Sequence, residues 1–185
     1  MKVKNILIPT VIIVIAFGFT NCFMFNCKGE KKKMELTITS KAFADSEMIP
    51  AKYTCDAENI SPEISWSKGP KGTKTFALIC DDPDAPSKTW VHWVVYNIPS
   101  TILGLPEKFP ADSIYNKITN GINDFGTFGF SGPCPPSGTH RYNFKVYALD
   151  NDLNLKAGAS KAEVERAMKN HILAEGILTG KYKKK

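Results

Sequence analysis

Apolar residues in this chain fall into two regimes. The first is one run over residues 6–19, broken only by Pro9, Thr10 and Gly18 and preceded by Lys2 and Lys4. The second begins near residue 35 and consists of short apolar or alternating stretches cut by turn residues, the pattern of strands joined by turns. Strands are predicted over residues 35–39, 64–66, 75–80, 90–98 and 142–149. The stretch 89–98 is apolar on both alternating faces, as a central strand covered on each side should be. His140, Tyr142, Phe144 and Val146 alternate instead with Arg141, Asn143 and Lys145, which predicts a strand with one wet face that bounds the domain.

One helix is predicted. Ser160-Lys-Ala-Glu163 has the form of a capping box, and Val164, Ala167, Met168, His171 and Ile172 recur at helical spacing, so the stripe should pack on a sheet. Gly176 is expected to stop the helix, with a last strand over 177–182. There is no internal repeat and no low-complexity segment beyond the lysine-rich tails. With 185 residues and 43% hydrophobic content the chain suits a single domain, and its strand pattern makes that domain mainly β.

The first apolar run is read as targeting rather than fold: Lys2 and Lys4 form a charged start and residues 6–19 the apolar core of an export signal. Cys22 and Cys27 follow it, and a cysteine directly after such a run resembles a bacterial lipoprotein processing site, which makes both lipidation candidates. The residues at −3 (Phe19, Met24) and at −1 (Asn21, Asn26) depart from the usual Leu and small residue, so a cleaved, unlipidated signal and an uncleaved anchor stay as alternatives. The anchor conflicts with the lysines that follow it, which would hold the domain in the cytoplasm. The expected division is an export or anchor segment at 1–27, a Lys-rich linker at 28–34, the folded domain at 35–182 and a basic tail at 183–185. The product would be exported and membrane-tethered, periplasmic or at the cell surface.

Charge changes the picture once the tails are set apart. The formal net charge is +6, yet residues 34–180 hold 14 Lys and Arg against 17 Asp and Glu, a net of −3. A mildly acidic domain gives nucleic acid no basic face to bind, and none is expected as a partner.

Candidate chemistry gathers at three segments. Cys80-Asp-Asp-Pro-Asp-Ala-Pro86 leaves a buried strand with three carboxylates among prolines that stiffen the backbone, although an acidic surface turn has the same composition. His92 sits inside the most apolar strand, where a lone histidine also serves as a core residue. His140 opens a strand directly after the rigid Gly132-Pro-Cys-Pro-Pro-Ser-Gly138 loop. A serine hydrolase is disfavoured, since Gly129-Phe-Ser-Gly-Pro133 lacks the closing glycine of a nucleophile elbow. Cys134 between prolines lacks the cationic setting of a reactive thiolate. No His-x-x-x-His or Cys-x-x-Cys spacing supports a metal. An anion site fits better, with histidine and loop N–H groups as donors and the carboxylates orienting the imidazoles and keeping them protonated.

The strings Asp82-Pro-Asp-Ala-Pro86, His92-Trp-Val-Val-Tyr-Asn-Ile-Pro99, Gly132-Pro-Cys-Pro-Pro136 and Thr139-His-Arg-Tyr142 resemble the phosphatidylethanolamine-binding protein family, in its bacterial Raf-kinase-inhibitor-like branch. Tyr53-Thr-Cys-Asp56, Asn59-Ile-Ser-Pro62, Asn123-Asp-Phe-Gly126 and His171-Ile-Leu-Ala-Glu-Gly176 extend the resemblance over residues 36–182. It implies a two-sheet β-sandwich with peripheral helices and a small anion pocket formed by Asp82, Asp84, His92, Gly132, Pro136, His140 and Tyr142. It also implies phosphate, acetate or a phospholipid head group as ligand, and links to inhibition of kinases or serine proteases. It assures no catalytic step and implies no cofactor. The export signal departs from cytoplasmic relatives and weighs against kinase inhibition.

Within the domain, Cys80 is expected to be a buried thiol. Cys55 and Cys134 lie in loops and could pair in an oxidising compartment if their Cα atoms come within about 7 Å. Three functions therefore compete: a binding module for a small anion or lipid head group, an inhibitor of a protease or other enzyme, and a hydrolase using His92 or His140 as base. The first needs only the pocket, the second an exposed apolar patch beside it, and the third a nucleophile within reach of a histidine. A homodimer stays open among the partners.

Overall fold

The computed structural model describes residues 34–184. Cys22 and Cys27, with the targeting segment and nearly all of the Lys-rich linker, lie outside the described residues.

Among the described residues ten strands form two sheets. β1 (Met34–Glu35), β4 (Thr75–Asp82), β5 (Trp90–Pro99), β7 (Ile114–Tyr115), β8 (Ile118–Asn120), β9 (Thr139–Leu149) and β10 (Ile172–Lys183) make the larger, in the order β1-β10-β9-β4-β5-β8-β7. β2 (Ile38–Thr39), β3 (Ile64–Trp66) and β6 (Gly104–Leu105) make the smaller, in the order β2-β3-β6. All pairings are antiparallel except β1 with β10. A short 3₁₀ turn occupies Ala51–Tyr53, and one α-helix, α1 (Lys161–Met168), lies among the described residues.

The large sheet is apolar on both faces because each face has its own cover. One carries Phe76, Leu78, Trp93, Phe144 and Val146, packed with Ile38, Ile64, Trp66 and Leu105 of the small sheet. The other carries Ala77, Ile79, Val94 and Tyr96 and packs with Val164 and Met168 of α1 and with Leu153. β5 lies between β4 and β8 and is buried on both faces, as its uninterrupted apolar sequence requires.

The structure corrects four expectations. The stretch 35–39 is two strands in two sheets: Leu36 N–H donates to the Glu175 carbonyl of the large sheet, and Ile38 pairs with Trp66 in the small one. β9 is interior, between β10 and β4, so its alternation reports a half-exposed face and not an edge. The capping box is present at Ser160, but α1 ends at Met168, because Asn170 takes a left-handed conformation (φ 71°) that turns the chain into β10. Gly176 then falls inside β10, where a Cβ would stand 2.1 Å from the Leu36 carbonyl oxygen, so glycine there admits the crossing N-terminal segment.

Candidate functional site

Three adjacent strands of the large sheet end together on the face that packs with the small sheet. β4 delivers Asp82, β5 delivers His92, and β9 delivers His140 and Tyr142, all buried. Strand alternation places Asp82 beside Cys80 and Tyr142 beside Phe144 on this face. His92 reaches it for another reason: Cys80 pairs with Trp93 and Asp81 with Val91, so His92 is the extra residue of a β-bulge. Val91 packs in the core under α1 and Trp93 in the core between the sheets, and His92 points with Trp93. A bulge re-aims a side chain in this way beside a site.

These residues line a cavity of about 310 Å³ whose walls also include Ala85, Pro86, Trp90, Phe125 and Pro136. Trp90 and Phe125 meet edge to face at 5.5 Å, and Phe125 also abuts His92 at 5.4 Å. The cavity is thus aromatic and prolyl at its mouth, with polar groups at its base, the composition of a small-ligand site.

The base is a chain of polar contacts. Asp84 N–H donates to Asp82 Oδ1 at 2.8 Å, and His140 Nδ1 lies 2.7 Å from Asp82 Oδ2. His92 Nδ1 lies 2.5 Å from the Ser131 carbonyl oxygen. Burial lowers the His92 pKa, against the opposing pull of the Ser131 and Gly132 carbonyls, Asp82 and Asp124. This direction runs against the expectation of a protonated imidazole at His92, because the ring's contact is a neutral carbonyl, which offsets only part of the lost hydration. Burial, then the negative charge of Asp82, drive the Tyr142 phenol far above its ordinary value, so it stays a hydroxyl. Although Asp82 stands beside it, that hydroxyl is buried without a hydrogen bond at bonding geometry.

Asp82, His92, Pro136, His140 and Tyr142 line the cavity; Asp84 and Gly132 do not. Asp84 is turned to Arg141, whose Nε and Nη2 donate to its two oxygens at 2.9 and 2.7 Å and whose backbone N–H adds a third bond at 2.9 Å. This clamp holds the Asp-Pro-Asp turn against the start of β9, and the Arg141 side chain lowers the Asp84 pKa to about 2. Gly132 N–H donates to Asn59 Oδ1 at 2.7 Å, and a Cβ at Gly132 would stand 2.3 Å from the Tyr53 carbonyl oxygen. Its amide is therefore committed within the protein and does not serve as the expected loop donor.

Cys55 and Cys134 form a disulfide with a Cα–Cα distance of 5.4 Å, tying the cavity lip to the turn after the 3₁₀ segment. Cys80 is a buried free thiol, its pKa raised by burial.

The sequence reading missed Trp90, Phe125, Asn123 and Ser131 as parts of the site. Asn123 is the knot of its loop. Its Nδ2 donates to the Gly129 carbonyl and to Ser131 Oγ, and its Oδ1 accepts from the N–H groups of Phe125 and Thr127. Buried asparagine satisfied on both ends is a loop staple that sets Phe125 and the Ser131 carbonyl. The one available signal was the Asn-Asp-Phe-Gly turn string itself.

A family model described as phosphatidylethanolamine-binding protein matches residues 39–183. The chain belongs to the phosphatidylethanolamine-binding protein family. A UPF0098 protein of Methanothermobacter thermautotrophicus is 52% identical over 150 residues, covering 80% of this chain and 99% of the relative. A UPF0098 protein of Aquifex aeolicus is 50% identical over 152 residues, covering 80% and 89%. Among solved structures of the family, homologue CT736 of Chlamydia trachomatis has a TM-score of 0.75 at 37% identity, covering 82% of this chain and 99% of that one. E. coli YbcL has a TM-score of 0.76 at 36% identity with the same coverage. The phosphatidylethanolamine-binding protein fold is thus shared across the described domain.

Proposed function

We propose that this member of the family is an extracytoplasmic binding protein whose cavity holds a small phosphate- or carboxylate-bearing group, such as a phospholipid head group. The observation that carries the reading is that Asp82, His92, His140 and Tyr142 line one cavity, the Tyr142 hydroxyl lying beside Asp82 at no bonding geometry to any of the described residues. A polar group so placed costs free energy until a ligand satisfies it. The cavity volume suits a head group and not an acyl chain. Binding in place of catalysis is favoured because Cys134, weighed as a nucleophile, is consumed in the disulfide, and Ser131 Oγ accepts from Asn123 instead of facing a histidine. Export and tethering through Cys22 or Cys27 rest on the N-terminal sequence, and the disulfide accords with an oxidising compartment.

The test is calorimetric and thermal-shift titration of the protein with phosphate, phosphoethanolamine and acetate, repeated on His92→Ala and His140→Ala. Saturable binding lost in both variants is expected. Absence of binding to all three ligands would move the reading to an inhibitor whose partner is a protein. For the export arm, labelling with a radioactive fatty acid should mark the parent and not a Cys22→Ser/Cys27→Ser double variant.

A further inference from the structure

The two ends of the large sheet differ in charge. The cavity lies at one end. At the other, the loop between β3 and β4 holds Lys68, Lys71 and Lys74 in a stretch without a carboxylate, although the domain as a whole is net acidic. All three lysines are exposed, and none has an ion pair among the described residues. Asp150, whose neighbour Leu149 accepts a bond from Lys74 N–H, is itself paired with His171 at 2.8 Å.

The loop holds this charge in a fixed place. Thr73 N–H and Oγ1 both donate to the Pro70 carbonyl, at 3.1 and 2.8 Å, and Gly72 has φ 97°, the form of a type II turn with Lys71 at its corner. A Cβ at Gly69 would stand 2.5 Å from Thr73 Oγ1, so glycine there lets the turn close on itself. Lys68 and Lys71 line a groove of about 660 Å³ together with Ser100, Thr101 and Leu103, the last 40% exposed. Ammonium groups, hydroxyls and an exposed apolar side chain suit phosphate-bearing head groups at a bilayer interface.

The path of the chain decides which surface the loop meets. A Cβ at Gly72 would stand 3.8 Å from the Leu173 side chain, and the next residue, Ala174, pairs with Met34. The N-terminal segment therefore joins the domain at the lysine end. From Cys27 to Met34 the covalent reach is at most about 25 Å. β4 runs from this end to the cavity, from Thr75 to Asp82, and β5 returns from Trp90 to Pro99, a span of roughly 25 Å at the rise of a strand.

We infer that the lysine end of the sheet docks on a bilayer of anionic phospholipids, with Lys68, Lys71 and Lys74 as its charged contacts and Leu103 among them. The cavity then opens on the side turned away from that membrane, and its ligand reaches it from the solution side. The inference goes beyond the cavity reading and does not need it; it rests on the tethering reading for bringing the bilayer near. Attraction of lysines to an anionic surface falls off within a Debye length, so the contact is salt-dependent.

The test is amide hydrogen exchange on the full chain reconstituted in vesicles of phosphatidylcholine alone or of phosphatidylcholine mixed with phosphatidylglycerol. Exchange over residues 68–73 and 100–103 should slow about threefold or more in the mixed vesicles only, and recover at about 1 M salt. Residues 85–90 and 123–127, at the cavity mouth, should exchange alike in both. In Lys68→Gln/Lys71→Gln/Lys74→Gln the slowing should vanish with the urea midpoint unchanged, since these lysines hold no internal ion pair. Slowing at the cavity mouth instead of the loop would reverse the orientation and overturn the inference. Slowing retained in the triple variant would overturn the role of the lysines, and equal slowing by glycerol phosphate with the neutral vesicles would replace the bilayer by a free phosphate. Flotation with the neutral vesicles reports the tether separately: failure to float would remove the tethering reading, while slowing over 68–73 on the mixed vesicles would still bear out the docking surface.

Discussion

The His92 and Tyr142 rings meet edge to face, with centroids 5.1 Å apart and planes at 84°. Neither residue would touch the other in a regular ladder, since β4 runs between their strands and His92 reaches across only through its bulge. The Tyr142 hydroxyl is buried beside Asp82 with no bond of good geometry among the described residues.

Tyr142→Phe should therefore separate stability from binding. Removing a buried hydroxyl that lacks a partner should leave the fold equally stable or more stable by about 1 kcal/mol. Anion affinity should fall tenfold or more. Urea unfolding and calorimetry on the variant check both, and a loss of more than about 2 kcal/mol would mean that the hydroxyl is bonded in the native protein.

His92 gives stability a particular pH dependence. Its folded pKa lies below the ordinary 6.5, so as pH falls the unfolded chain takes up the proton first. The contribution is complete above pH 6.5 and declines below it until the folded value is passed, with a slope of at most about 1.4 kcal/mol per pH unit. His92→Gln should flatten that part of the profile. Denaturation midpoints of both proteins at about pH 7.5, 6 and 5 measure the difference.

The disulfide spans 79 positions. Closing a loop of that length restricts the unfolded chain, and its loss should cost about 3–4 kcal/mol. Cys55→Ser/Cys134→Ser should show this as a lowered urea midpoint. Anion binding should weaken as well, because Cys134 stands on the cavity lip.

Beneath the opposite face of the sheet, Asp81 is fully buried, with Lys145 Nζ at 2.8 Å and Lys161 Nζ at 3.1 Å. Either lysine alone leaves the carboxylate one cation, so Lys145→Met or Lys161→Met should each cost about 1 kcal/mol. The double variant leaves a buried charge unpaired and should cost about 3–5 kcal/mol. Additive behaviour in a double-mutant cycle would show that the two cations do not substitute for each other.

Many of the strands were legible because they depend on periodicity, while the two-sheet arrangement was legible only through the family resemblance. The doubly apolar 89–98 stretch could only be an interior strand, and the Ser160 capping box marked the start of α1. What periodicity could not carry was position within a sheet: the half-polar face of β9 reads the same at an edge as beside β4. Strands two or three residues long, such as β6 and β7, offer no period at all. In the site, Asp82, His92, His140 and Tyr142 were found by residue type and by family resemblance. Trp90 and Phe125 were not, because aromatic residues in a sequence do not announce whether they fill a core or line a cavity. The Asp84–Arg141 clamp was not legible for a related reason, since the two residues lie 57 positions apart.

The bulge at His92 has one more consequence. Because Cys80 already faces Trp93 and Asp81 already faces Val91, deleting His92 would join Val91 directly to Trp93 and leave an unbroken ladder with every neighbouring side chain on its present face. The protein thus carries its most exacting site residue as a one-residue insertion that the scaffold does not need. A shortened chain of that kind would be a folded, empty-handed relative, and the difference between the two would be a single codon.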